Sequence, residues 1–279
     1  MTGGQINTIR VTDPEDGRIA EYRQLRENRL PKAIEGAPHG VFIAEGEKVV
    51  RRFAEGASRF PIRSVLLAEA RLDRDGPWLA DLPEGTPIYL ADRTVMDAVV
   101  GFPIHRGVLA AGLRLPDPPL TEAIGAARTA IVLEGLANHD NVGGIFRLAA
   151  ALADMPLVLF DETSCDPLYR KSIRVSMGHA LAVPFARIGS AAEAAGALES
   201  AGFEVAALAI ADRAEPMHAF EPGSDRVAWV LGAEGPGLSG AAMEAASRIV
   251  RIDMQPGVDS LNVVTAAAIA LHGTRRPPA

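Results

Sequence analysis

Cysteine is nearly missing from this chain: Cys165 is the only one in 279 residues, which excludes an intramolecular disulfide. The six histidines, His39, His105, His139, His179, His218 and His272, show no ligand spacing with it, so a Cys/His zinc site is not supported and no metal is expected. No apolar run approaches the length that spans a bilayer, and Met1 to Asp13 lacks a basic region followed by an apolar core. A reducing, cytoplasmic setting is the expectation. The G-x-G-x-x-G and Walker spacings are also missing, which counts against a dinucleotide-dependent oxidoreductase or a nucleoside triphosphatase.

Positive charge is short as well, with a net charge of −7 that argues at first against a polyanionic partner. The deficit is unevenly spread: 16 basic and 16 acidic residues stand up to Leu115, leaving 12 and 19 beyond it. Nearly all the basic residues of the N-terminal part are arginines, clustered at Arg18, Arg23, Arg26, Arg29 and at Arg51-Arg52. Arginine pairs bidentately with phosphate, although a solvated helix face explains any one of them equally well.

The stretch Leu115-Pro116-Asp117-Pro118-Pro119 disfavours helix and central strand alike, so the chain divides there. The expected organisation is an N-terminal domain over 1–115 with a flexible 1–15, a linker over 116–128, and a C-terminal domain over 129–279. Upstream, short apolar runs (Val41–Ala44, Val65–Leu67, Ile88–Leu90, Val108–Ala110) alternate with helical stretches at Glu47–Ala57 and Arg93–Val100, a small α/β domain. Downstream, strands are expected at Ala130–Leu133, Leu157–Phe160, Leu181–Phe185, Val205–Ile210, Val227–Leu231 and Ile249–Ile252. Helices are expected at Ile145–Leu152, Ala191–Ser200, Ala241–Ala246 and Leu261–Leu271. Near-continuous apolar strands separated by helices predict a parallel sheet covered on both faces, with a ligand at the C-terminal strand ends.

Four segments carry candidate chemistry. Asn141-Val142-Gly143-Gly144 reads as a tight turn into a helix bearing Arg147, and a helix N-terminus with a nearby arginine suits a phosphate. Leu231-Gly232-Ala233-Glu234-Gly235-Pro236-Gly237-Leu238 closes a strand with glycines that permit positive φ and close backbone approach. Ser260-Leu261-Asn262 opens an Ala-rich helix, where Ser260 reads as an N-cap. Finally, Asp166-Pro167-Leu168-Tyr169-Arg170-Lys171-Ser172-Ile173-Arg174 holds Arg170, Lys171 and Arg174, the best local candidates for phosphate contacts in an otherwise acidic part of the chain, with the ring of Tyr169 available for stacking. The plainer alternatives are a surface ion pair for Arg147 and a solvated helix face for the basic segment.

The first three segments, in this order and spacing, closely resemble the signature motifs of the SpoU/TrmH family of S-adenosylmethionine-dependent RNA ribose 2'-O-methyltransferases. The resemblance implies an α/β fold whose C-terminal parallel-sheet domain carries a deep trefoil knot, an exception to the rule against threading. Ala44-Glu45-Gly46-Glu47-Lys48-Val49-Val50 and Arg106-Gly107-Val108-Leu109-Ala110 resemble the two ends of the ribosomal-protein-like RNA-binding domain that often precedes it. It further implies that Leu231, Gly232, Gly235, Ile252, Met254 and Leu261 hold S-adenosylmethionine, and that Asn141, Arg147, Glu234, Ser260 and Asn262 form the catalytic set. Glu234 has a competing role in bonding nearby backbone N–H groups. A homodimer through the C-terminal domain and a structured RNA, ribosomal rather than transfer RNA, are the implied partners. A transfer-RNA enzyme and a non-catalytic RNA-binding module retaining the fold are the alternatives. Leu148, where the family usually has Thr or Ser, and Val264, where Ser is common, depart from the pattern.

Overall fold

The computed structural model describes residues 6–23, 36–101 and 107–275. Arg26, Arg29, His105 and Arg106 therefore lie outside the described residues. The chain forms two compact units: Met1–Pro116 with Leu168–Ala182, and Asp117–Pro167 with Val183–Ala279.

The first unit holds β1 (Thr8–Arg10), β2 (Val41–Glu45), α1 (Glu47–Ala54), β3 (Ile62–Ala68), α2 (Leu72–Leu79), β4 (Ile88–Ala91), α3 (Arg93–Val100) and β5 (Val108–Leu113). Its sheet runs β1-β4-β3-β5-β2, with β5 antiparallel to both neighbours. Every side chain of β2 is buried, and Phe42 lies over its cross-strand partner Gly112, where a Cβ would come within 2.2 Å of the ring. Helix α3 starts where Asp92 accepts from the Val95 N–H and stops at Gly101, whose φ of 79° a larger residue adopts only under strain. The expected flexible leader is in part a strand: Thr8–Arg10 pairs in register with Ile88–Leu90, and the turn after it buries Ile19 and Tyr22. Three residues of strand are too few for a periodicity to register in the sequence.

The second unit holds α4 (Leu120–Gly125), β6 (Thr129–Glu134), α5 (His139–Leu152), β7 (Pro156–Phe160), then, after helix α6 (Arg170–Val175) of the first unit, β8 (Phe185–Arg187), α7 (Ala191–Ser200), β9 (Glu204–Leu208), β10 (Glu215–Pro216), β11 (Val227–Gly232), α8 (Gly240–Ala245), β12 (Arg248–Arg251) and α9 (Val263–Gly273). All its strands are parallel in the order β10-β12-β9-β11-β6-β7-β8. Ala130, Val132, Ala228, Val230, Val205 and Ala207 point to one face, where α4, α7 and α8 bury Ile124, Leu198 and Ala242. Trp229 points to the other and donates from its indole to Thr274 beyond the end of α9. Each large apolar side chain so buried stabilises the fold by about 1.5–3 kcal/mol.

Several boundaries differ from expectation, two of them in ways that matter here. The linker is shorter than 116–128, because α4 begins right after Pro119 and packs Ile124 into the core; proline ends a preceding element but is tolerated where a helix begins. The strand expected at Leu181–Phe185 starts only at Phe185, since Gly178, with φ 79°, directs His179–Leu181 into a helical turn.

Candidate active site

Helix α5 starts earlier than the glycines suggest. Asn138 caps it, its side chain accepting from the Asp140 N–H at 2.9 Å, so Asn141 lies in the first turn and Val142-Gly143-Gly144 are helical rather than a turn before Ile145. The glycines serve packing: a Cβ on Gly144 would sit 2.8 and 2.9 Å from the two γ-methyls of Val264 on α9. Arg147 consequently falls in the third turn, exposed, with no ion pair or hydrogen bond among the described residues.

The loop after β11 folds back on its own strand. Gly237 donates its N–H to Ala233 O at 3.1 Å, and a Cβ on Gly232 would lie 2.4 Å from the Gly237 carbonyl carbon, which only glycine avoids. Gly235 and Gly237 take φ of 95° and 71°. At the loop's exit Ser239 donates from both its N–H and its hydroxyl, at 2.8 Å each, to the carboxylate of Glu134 at the end of β6.

The three segments meet at Asn262. Its Oδ1 accepts from the Val264 N–H at 2.9 Å and caps α9, which fixes the orientation of the amide. Its Nδ2 then donates to Asn141 Oδ1 at 3.1 Å and to Glu234 Oε1 at 2.7 Å, so both N–H bonds are used. The cap expected at Ser260 therefore belongs to Asn262, two residues on, because the amide oxygen there reaches the free N–H of Val264. Glu234 takes a side-chain amide instead of backbone N–H groups. Asn141 is 6% exposed whereas Asn262 and Glu234 are exposed, so the junction is buried only on its α5 side.

Beside this junction lies a cavity of about 500 Å³ between the loops that follow β9, β11 and β12, in the size range of small-molecule sites. Leu231, Gly232, Gly235, Ile252, Met254 and Leu261, the six residues expected to hold a cofactor, all line it, as do Glu234 and Ser260. Asn141, Arg147 and Asn262 lie outside its wall. Among the described residues no His, Cys, Asp and Glu cluster can hold a metal ion.

The basic candidates divide. Arg170 donates at 2.8 Å to Glu45, which is 6% exposed, a structural ion pair within the first unit. Lys171 is exposed, and Arg174, half-buried, makes no hydrogen bond or ion pair among the described residues. Arg18 pairs with Asp16, Arg23 with Glu15, and Arg51 lies between Glu47 and Glu55. Arg52 donates to the Met177 carbonyl at 2.9 Å. The described arginine clusters of the first unit are thus engaged internally.

The sequence profile of the SpoU rRNA Methylase family matches residues 128–272, the span that contains the junction and the cavity. The chain belongs to this family. An uncharacterized tRNA/rRNA methyltransferase of Mycobacterium tuberculosis is 41% identical over 269 residues, covering 95% of this chain and 91% of that one. The 23S rRNA (adenosine(1067)-2'-O)-methyltransferase of Streptomyces azureus is 29% identical, covering 96% and 95%. An AdoMet-bound rRNA methyltransferase from Sinorhizobium meliloti superposes with a TM-score of 0.78 at 21% identity, covering 95% and 97%, so the two share the fold.

One wall of this SpoU site escapes sequence reasoning: Leu208 and Ile210, at and beyond the end of β9, also line the cavity. The signal available was positional, since ligands of open parallel sheets sit at C-terminal strand ends.

Proposed function

We propose that the protein transfers a methyl group from S-adenosylmethionine to a ribose 2'-hydroxyl of structured RNA. The observation that carries this reading is the Asn262 amide, which joins the helix bearing Arg147 to the glycine loop beside a cavity of cofactor size. The cavity residues fit this cofactor: Leu231, Ile252 and Leu261 offer apolar surface to a purine, the folded-back glycine loop exposes main-chain groups, and Glu234 and Asp259 set negative charge near a cationic ligand. Leu231, Gly232, Gly235, Ile252, Met254 and Leu261 would hold it. When bound, S-adenosylmethionine supplies an electrophilic methyl group whose leaving thioether departs neutral.

The protein's task is placement of the nucleophile. Arg147, whose guanidinium offers donors and no acceptor, binds the phosphate of the target nucleotide and stabilises negative charge developing on the 2'-oxygen as the hydroxyl proton passes to solvent. Asn141, Asn262 and Glu234 keep α5 in register with the cofactor loops, and Ser260 faces the cavity to orient the ribose. The exposed position of Arg147 outside its own chain's cavity wall supports a two-fold homodimer through the C-terminal domains, each arginine serving the partner's site. A C-terminal knot is supported by β11 inserting between β6 and β9 and by α9 packing on α5.

Ribosomal RNA is the favoured substrate, because a relative named for 23S rRNA matches through both units of this chain. Lys171 and Arg174 of the first unit contact its phosphates, and the cytoplasm is the compartment. Calorimetry with S-adenosylmethionine and transfer of labelled methyl to ribosomal RNA lacking the modification test the reading. Arg147→Ala should abolish transfer and leave cofactor affinity unchanged; near-normal turnover would overturn the role.

A further inference from the structure

The loop after β7 grips three consecutive residues of the segment leading into α5. Asp161, 8% exposed, accepts from the Gly135 N–H at 3.1 and 3.2 Å through its two oxygens. It also accepts from the Thr163 hydroxyl at 2.6 Å and from the Ser164 hydroxyl and N–H at 2.6 and 2.9 Å. Ser164 Oγ in turn accepts from the Leu136 N–H at 2.9 Å. Cys165 donates its N–H to Leu136 O at 2.9 Å and its thiol to Ala137 O at 2.8 Å. The next residue, Asn138, caps α5, and the first turn after it carries Asn141.

Every group aimed at Asp161 is a donor, and no cation pairs with it among the described residues. A buried carboxylate without a cation is costly unless hydrogen bonds satisfy it. An amide in its place keeps one acceptor oxygen but sets an N–H₂ group against the Gly135 N–H, with only the Thr163 hydroxyl able to turn and accept from it. The loop it holds is tightly constrained: Gly135 has φ 72°, and a Cβ there would touch Ala233 of the glycine loop at 3.4 Å.

We propose that Asp161 is a positioning residue for methyl transfer, fixing Gly135–Asn138 so that α5 presents Asn141 and Arg147 in their working register. The proposal rests on the functional reading above. Because Asp161 is not part of the cavity wall, its loss should act on turnover rather than on cofactor affinity.

The test compares wild type with Asp161→Asn, using labelled S-adenosylmethionine and ribosomal RNA purified from cells lacking the protein. The expected result is a kcat lower by about 10- to 100-fold, as small misplacements of reacting groups produce. Cofactor affinity should stay within about twofold, and amide hydrogen exchange should quicken over 135–147 but not over 204–208. Should Asp161→Asn fail to fold, Ser164→Ala, which removes only the Leu136 acceptor and one donor, should show the same split in milder form. Introduced into Asn141→Ala, Asp161→Asn should cost little further turnover, since both act through one register; a fully multiplicative loss would overturn the proposal. Unchanged kcat or unchanged exchange over 135–147 would also overturn it. Inactive wild type would sink the functional reading, while the exchange measurement would still decide whether Asp161 holds the loop.

Discussion

Asn262 donates to Asn141 across 121 residues of sequence, and the same nitrogen donates to Glu234. One side chain thus caps α9, holds α5 and holds the glycine loop. Asn262→Ala should remove all three at once, with about 1 kcal/mol lost from the cap alone. Asn262→Asp keeps an acceptor for the Val264 N–H but sets a carboxylate against Glu234. It should therefore melt near wild type yet lose more cofactor affinity than a cap loss explains. Thermal melts alongside cofactor titrations distinguish the two variants; an Asp variant with wild-type affinity would break the link between junction and cavity.

Gly232→Ala tests the glycine loop. The new methyl group would meet backbone, 2.4 Å from the Gly237 carbonyl carbon and 2.5 Å from the Leu238 nitrogen, so no rotamer change relieves it. The loop must move off β11, at a stability cost of about 1–3 kcal/mol. Cofactor affinity should fall by tenfold or more, since about 1.4 kcal/mol lost from binding suffices for that. Gly235→Ala, with open space around its Cβ but φ 95°, should strain the backbone without that collision and weaken binding less. Equal affinities for the two variants, measured by calorimetry, would argue against the close approach at Gly232.

Much of the parallel sheet was legible because its strands are continuous apolar runs, and Ala191–Ser200 in that unit and Arg93–Val100 in the first unit match expectation end to end. The cavity-lining residues were legible through motif resemblance, which local spacing alone would not have supplied. The start of α5 was not. Adjacent glycines suggest a turn when read locally, whereas the close approach of α9 at Val264 makes Gly144 the residue that fits inside a helix. The fate of Arg170 was equally hidden, because its partner Glu45 lies 125 residues away. The Asp161 cluster left no trace in the sequence, since Asp, Thr and Ser after a strand read as an ordinary turn.

Asp161 also gives a pH signature. Burial pushes its carboxyl upward, but hydrogen bonds from Ser164, Thr163 and the Gly135 N–H outweigh this and hold it below the usual aspartate range. A carboxyl whose folded-state pKa is depressed contributes stability above its unfolded value and loses it as pH falls through the folded one. The difference in urea midpoint between wild type and Asp161→Asn should therefore be constant from neutrality to about pH 5 and shrink below about pH 4, the unfolded aspartate value. Asp75, which burial pushes up and Arg71 and Arg74 bring below the usual range, loses its contribution in both proteins and cancels. A difference that persists undiminished at pH 3 would mean that the charge of Asp161 is not what the substitution removes.

The contact between Gly144 and Val264 predicts a compensating pair. Gly144→Ala places a methyl group 2.8 Å from one γ-carbon of Val264 and 2.9 Å from the other. A β-branched side chain on a helix has one preferred rotamer and cannot swing clear, so α5 and α9 must separate. Overpacking of this kind costs about 1–3 kcal/mol, set against a gain of under about 1 kcal/mol from replacing glycine inside a helix. Because α5 carries both Asn141 and Arg147, turnover should fall further than stability. Val264→Ala removes the obstructing γ-carbons, so Gly144→Ala with Val264→Ala should regain most of the stability lost by Gly144→Ala alone, and turnover with it. Urea unfolding and methyl-transfer assays on the two single variants and the double variant complete the cycle. Strict additivity, with no recovery in the double variant, would show that these helices do not meet at this pair.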